Sequence, residues 1–260
     1  LLRQDWELSG GRPEDFYIKI AENLPKSEIA SGEEKATQRG VSDLIRLKVG
    51  SIEDSKTELT WDLNKASNPH LAVVGTTGSG KTHFVKEMLA QISDLTNKQL
   101  PFVFFDYARG DVAGDADFVR ATGARVVTLP NEPVPLAPFP PRHTVLEINQ
   151  QAYHVAKIFR DVAPHIGVKQ EQRLIRAVQQ AYRDARDGPP DFYDLRDALE
   201  SEEPDSLTSV LGKLTDLNLF PSRGEGSSVQ TKDLLRQSWI IDLHGLQELR
   251  ELVVFLFLDS

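Results

Sequence analysis

No cysteine occurs among the 260 residues, and methionine occurs once. The first absence excludes a disulfide framework and any thiolate metal site, and it agrees with a reducing compartment. No apolar run approaches the roughly 18 residues that a membrane-spanning helix needs. The longest, LVVFLFL at 252–258, suits a buried element. No signal peptide is visible at the start. These absences together raise the expectation of a cytoplasmic protein with no membrane partner. Positive charge is also short: 30 Lys and Arg against 39 Asp and Glu leave a net charge of −9. A nucleic-acid-binding domain is usually basic, so any DNA contact would have to come from a local strip of positive charge. The chain opens on Leu1 rather than methionine and stops at Ser260 just after its most apolar run, and it is expected to be part of a longer protein.

What is present is the composition of a globular domain, 40% hydrophobic and 27% charged, long enough to bury a substantial core. Residues 1–40 are polar and mixed and are expected to form a separate N-terminal segment, with the main domain over 41–260. At 44–49 the alternation of Leu44, Arg46 and Lys48 with Ile45, Leu47 and Val49 has the period of a half-buried strand. With TELTWDL at 57–63 it predicts a strand, turn, strand unit. Beyond it, LAVVG at 71–75 predicts a buried strand. The next segment sets Phe84, Val85, Met88, Leu89, Ile92 and Leu95 on one helical stripe. Further strands are predicted in PFVFFDYA, ARVVTLP and SWIIDLHGL, and helices over 146–187 (in two pieces), 191–200 and 205–220. Strands alternating with helices imply an α/β fold with a mostly parallel sheet covered by helices on both faces, preceded by a small β-containing segment.

The stretch GTTGSGKT at 75–82 matches G-x-x-x-x-G-K-[ST], with an apolar run before it and an amphipathic helix after. Gly75, Gly78 and Gly80 let successive backbone N–H groups turn inward, with Thr76, Thr77 and Ser79 supplying further amides. The helix beginning near Lys81 aims its free N–H groups at the same point. Lys81 is expected to reach the β- and γ-phosphates of ATP and Thr82 to ligate Mg²⁺. His83 is counted with the cofactor-binding residues, against its reading as an ordinary helix histidine. LNKAS at 63–67 holds the Asn-Lys pair of a guanine-reading motif, but it lacks the aspartate and precedes the loop, which disfavours GTP.

Two aspartates close apolar runs: Asp106 in FVFFD and Asp242 in WIID. Ligands of an open parallel sheet sit at the carboxyl ends of its strands. Asp106 is therefore a candidate catalytic residue and Asp242 a candidate Mg²⁺ ligand. Neither is followed by glutamate, so an Asp-Glu pair for hydrolysis is expected beyond Ser260. Arg109 is a candidate phosphate or subunit contact, against a solvated loop. Lys169, Arg173, Arg176, Arg183 and Arg186 make 168–187 locally basic, which fits a solvated helix face or a DNA or subunit contact.

The segment 57–92 resembles the nucleotide-binding start of the FtsK/HerA superfamily: a hairpin, then Asp62-Leu63, then Pro69-His70 directly before the strand and the GTTGSGK loop. Fainter similarity runs through FVFFDYARGD, the proline-rich loop after ARVVTLP and SWIIDLHGLQELRELVVFLF, so that the resemblance covers 42–258. Among HerA-type proteins the chain is most similar to ATPases of bacterial defence systems (DptH-like), a resemblance to which ENLPKSEIASGEEKATQRGVSDLIRLKVG at 22–50 contributes. The resemblance implies a RecA-like P-loop fold with an additional strand. It implies an ATP-driven translocase or helicase acting on double-stranded DNA in a homo-hexameric ring, with ATP between subunits and an arginine from the neighbour. It also implies a nuclease or other defence subunit as partner, and it sets Asp242 before the catalytic Asp-Glu strand rather than on the metal. The alternative is an ATP-gated assembly or signalling protein that oligomerises without moving DNA.

Overall fold

The computed structural model describes residues 45–52, 57–66, 70–107, 110–163, 165–185, 188–199, 204–222, 234 and 236–259. The expectations for the N-terminal segment 1–40, for Pro69, for Arg109 and for Arg186 fall outside them.

Strands β1 (Arg46–Ser51) and β2 (Glu58–Asp62) pair antiparallel, with Leu47 opposite Trp61. The predicted alternation decides which face is covered. Ile45 and Leu47 join Met88 in a small core, with Val49, Trp61, Leu63, Phe84 and Ile92 packed around it. On the outer face Arg46 pairs with Asp62 and Lys48 with Glu58. The hairpin is further held to helix α1 (Lys81–Leu95) by Gln91. Its Oε1 accepts from the Lys48 amide at 2.7 Å, and its Nε2 donates to the Lys48 carbonyl at 3.1 Å.

The second sheet is parallel, with β5 (Trp239–Asp242) between β3 (Val103–Asp106) and β4 (Arg125–Thr128). Side chains alternate across a strand, and here the two faces feed two cores. Ile240, Phe104 and Val126 pack with Leu89 and Ala90 of α1 and with Phe118 of α2 (Ala116–Thr122). Trp239, Ile241, Val127, Val103 and Phe105 face the larger core. That core is completed by α3 (Val145–Val162), α4 (Val168–Asp184), α5 (Phe192–Leu199), α6 (Ser206–Asp216) and α7 (Arg250–Asp259). Helices thus cover both faces of a parallel sheet, as the α/β reading expected.

Four of those helices, α3 to α6, lie between β4 and β5 in the chain. The ends of α3 and α6 are marked in the sequence. Thr144 and Glu147 form a reciprocal capping box at α3, and Asp205 caps α6. The locally basic segment is the amphipathic helix α4, whose inner face is Leu174, Ile175, Ala177, Val178, Ala181 and Tyr182. Arg173 pairs with Asp205, and Glu171 of the same helix takes Arg160. Part of the segment's charge is therefore engaged inside the fold.

Two expectations are corrected. Residues 71–75 belong to no sheet among the described residues, and Leu71 is 51% and Val74 89% exposed. An apolar run becomes a strand only where another strand satisfies its backbone N–H and C=O groups, and no described strand lies along this one. Leu95, placed on the buried stripe of α1, is also exposed at the last turn. The stripe is split, because Phe84, Met88 and Ile92 face the hairpin while Leu89 faces the sheet.

Candidate nucleotide site

The turn before α1 is built from left-handed glycines. Gly78 has φ 83° and Gly80, the N-cap residue, has φ 85°, and no heavy atom lies within 4 Å of where a side chain would start at either. Those dihedrals suit glycine and strain other residues. At Gly75 the limit is steric, since a Cβ there would fall 2.5 Å from Ser79 Oγ. No side chain caps α1 and no acidic residue sits in its first turn. The helix start therefore offers first-turn N–H groups without intrahelical acceptors, and a positive dipole end. Lys81 Nζ donates to the carbonyls of Gly75 at 2.8 Å and Thr76 at 2.7 Å, so the ammonium is folded back over the turn it follows. Thr76, Thr77, Ser79, Thr82 and His83 are all exposed around it. Glycine backbone, free amides, an ammonium and a hydroxyl are the donor set that polyphosphate requires. Mg²⁺ keeps several waters and phosphate oxygens, so the single Thr82 hydroxyl fits it as the protein ligand.

The carboxyl end of the parallel sheet lies under a loop that is tied to α1. Asp106, 5% exposed, accepts through Oδ2 from the amides of Val112 at 2.9 Å and Ala113 at 3.2 Å. Asp115 caps α2 and forms an ion pair with Lys86 of α1. The ammonium beside it, with the helix amide it accepts, holds the Asp115 carboxyl below its usual value. The loop 110–115 thus leads into α2 and is held on one side by Asp106 at the end of β3 and on the other by Lys86 of α1.

Asp242, opposite Asp106 in register, is 3% exposed. Both of its oxygens face His244 Nδ1, at 2.7 and 2.8 Å, and Oδ1 also accepts the His244 amide at 3.0 Å. His244 was not singled out by sequence reasoning. Its only cue is the spacing Asp-x-His directly after an apolar strand. Among the described residues no group of three or more His, Asp or Glu side chains converges as a metal site. Nor is any described helix long and apolar enough to cross a membrane.

Comparison with known proteins agrees with this geometry. A stretch of 48 residues, 18% of the chain, is 40% identical to the uncharacterized protein aq_aa31 of Aquifex aeolicus and covers 18% of it. A stretch of 89 residues, 34% of the chain, is 29% identical to the DNA import protein CedB of Sulfolobus acidocaldarius and covers 14% of it. The matches thus span less than a fifth of the length of either relative. The profile of the family described as Helicase HerA, central domain, matches residues 47–258, most of the chain. An open glycine turn at the head of α1, a parallel sheet covered on both faces and that match make this chain a member of the HerA helicase central-domain family, the HerA/FtsK-type ATPases.

Proposed function

We propose that this chain is the nucleotide-binding module of an ATP-driven DNA translocase or helicase. The observation that carries the reading is the glycine turn with Lys81 folded over it at the head of α1, in a chain of the HerA family. ATP would draw Lys81 from the Gly75 and Thr76 carbonyls to its β- and γ-phosphates. The amides of 76–82 would hold the phosphate oxygens, with Thr82 on Mg²⁺ and His83 at the rim. Bound there, Mg²⁺ would neutralise charge on the β- and γ-phosphates. Asp106 would act from the edge of the crevice by holding the loop 110–115. An Asp-Glu pair and an arginine from elsewhere in the assembly would complete hydrolysis.

DNA as the substrate is supported by the similarity to CedB, named as a DNA import protein, and by the family's description as a helicase. The resemblance to the FtsK/HerA superfamily supports a homo-hexameric ring around double-stranded DNA as its working form. The finer reading is a motor of a bacterial restriction or anti-phage system, working beside a nuclease or other subunit. It rests on the resemblance at 22–50 together with the P-loop block. The test is ATP hydrolysis by the full-length protein with and without double-stranded DNA at low salt. Stimulation by DNA that Lys81→Ala abolishes is expected. Hydrolysis indifferent to DNA, together with no DNA binding, would leave the ATP-gated assembly reading in its place.

A further inference from the structure

The outer face of α4 is charged differently from the rest of this acidic surface. On other elements exposed cations are set against carboxylates, as Lys48 is with Glu58, Arg120 with Asp117 and Lys213 with Glu248. The side of α4 opposite its buried stripe is Lys169, Gln172, Arg176, Gln180 and Arg183, all exposed. A solvated helix face commonly interleaves opposite charges three or four residues apart. Around Lys169 and Arg176 those positions hold no Asp or Glu. The helix's own described acids are diverted from the row. Glu171 pairs with Arg160 of α3, and Asp184 accepts from the Gln180 amide at 2.6 Å. Gln180 Oε1 accepts from Arg183 at 3.0 Å, so this guanidinium meets an amide rather than the neighbouring carboxylate. On the flank toward α3, Gln179 donates to Asn149 Oδ1 at 2.9 Å, another neutral contact.

What remains is a row of three cations and two amides. Lys169, Arg176 and Arg183 recur every seven residues, about 10.5 Å apart along the helix axis, so the row runs about 21 Å. That is the rise of about six base pairs of duplex. Ammonium, guanidinium and amide groups are donors that meet phosphate oxygens. The row holds no apolar side chain to anchor a protein interface and no aromatic ring on which unstacked bases could lie. A duplex backbone needs neither. We propose that the outer face of α4 contacts the phosphate backbone of double-stranded DNA through Lys169, Arg176 and Arg183, with Gln172 between the first two. The identity of the polyanion rests on the DNA-motor reading above. The contact is independent of base sequence, because phosphates carry none. It supplies a local positive field within a chain of net charge −9.

The experiment is binding of a fluorescently labelled random-sequence duplex by the full-length protein, read as anisotropy between about 50 and 200 mM salt. Three proteins are compared with wild type, each checked by thermal melting. The first is Lys169→Gln/Arg176→Gln/Arg183→Gln. The second is Lys48→Gln/Arg120→Gln/Lys213→Gln, which removes the same charge from paired positions. The third is Lys169→Arg/Arg176→Lys/Arg183→Lys, which keeps the charge in the row. The first is expected to weaken binding about 10- to 100-fold at the lowest salt. Its slope of log K against log salt should flatten by about 2.7 for the three contacts of one subunit. The second and third should stay within about 3-fold of wild type. Unchanged affinity and slope in the folded first variant would overturn the proposal. So would an equal loss in the second, which would make net charge the cause. Loss of self-association in the first variant with DNA affinity intact would also overturn it and make the row a subunit contact. If the wild type binds no duplex at the lowest salt, the DNA-motor reading fails and this one with it. Wild-type binding beside an unaffected first variant removes this proposal alone.

Discussion

Lys81 donates its ammonium to two carbonyls of its own turn, and that contact defines what a substitution there removes. Lys81→Ala leaves the hydrophobic contacts of α1 untouched, so the fold should persist while ATP affinity falls below detection in a binding titration. Gly80→Val combines a positive φ with a β-branched side chain and should destabilise by about 1–2 kcal/mol as well as closing the cradle, measurable by denaturant unfolding. The ion pair of Lys86 with Asp115 gives a pH signature. Asp115 is held below 3.8 in the folded chain, so its contribution is present at neutral pH and disappears as the pH falls through the folded value. The melting-temperature gap between wild type and Lys86→Met should therefore be largest near neutrality and close on acidification. A gap that widened in acid would contradict the pairing.

At the scale of elements, much of the architecture could be read before any coordinates. The continuous apolar runs in FVFFD and WIID named buried strands, and Ile240 and Ile241 do enter different cores. The Asp205 cap and the reciprocal box at Thr144 show why α6 and α3 begin where they do. Thr144→Ala should cost about 1 kcal/mol of stability through the lost cap. Leu174, fully buried where α4 meets the larger core, should cost about 2–5 kcal/mol as Leu174→Ala. Both are read from chemical denaturation. What was not legible has a physical cause in each case. Residues 71–75 carry strand composition, but strand pairing is set by a partner distant in sequence. The Lys86–Asp115 pair and the meeting of Gly110 with Asp242 and His244 bring together residues 29 and more than 130 positions apart, with no motif spacing to announce them. The phosphate turn was legible because all its parts are local: three glycines, a lysine and a threonine within eight residues.

For the whole molecule, net charge −9 sets the terms of any DNA contact. Attraction must come from a local field, and it should weaken steeply with salt, as phosphate contacts displace condensed counterions. Part of the basic charge of α3 and α4 is engaged by Glu171 and Asp205, which leaves the surface less cationic than its sequence suggests. The proposed hexameric ring would suit such a chain, because six weak contacts facing one pore would add where a single surface would not hold. The decisive measurement is displacement of a third strand from a DNA triplex by the full-length protein with ATP and Mg²⁺. Displacement that needs ATP and vanishes in Lys81→Ala is the expected result. ATP-dependent change of oligomeric state with no strand displacement would contradict the motor and identify the nucleotide as a gate.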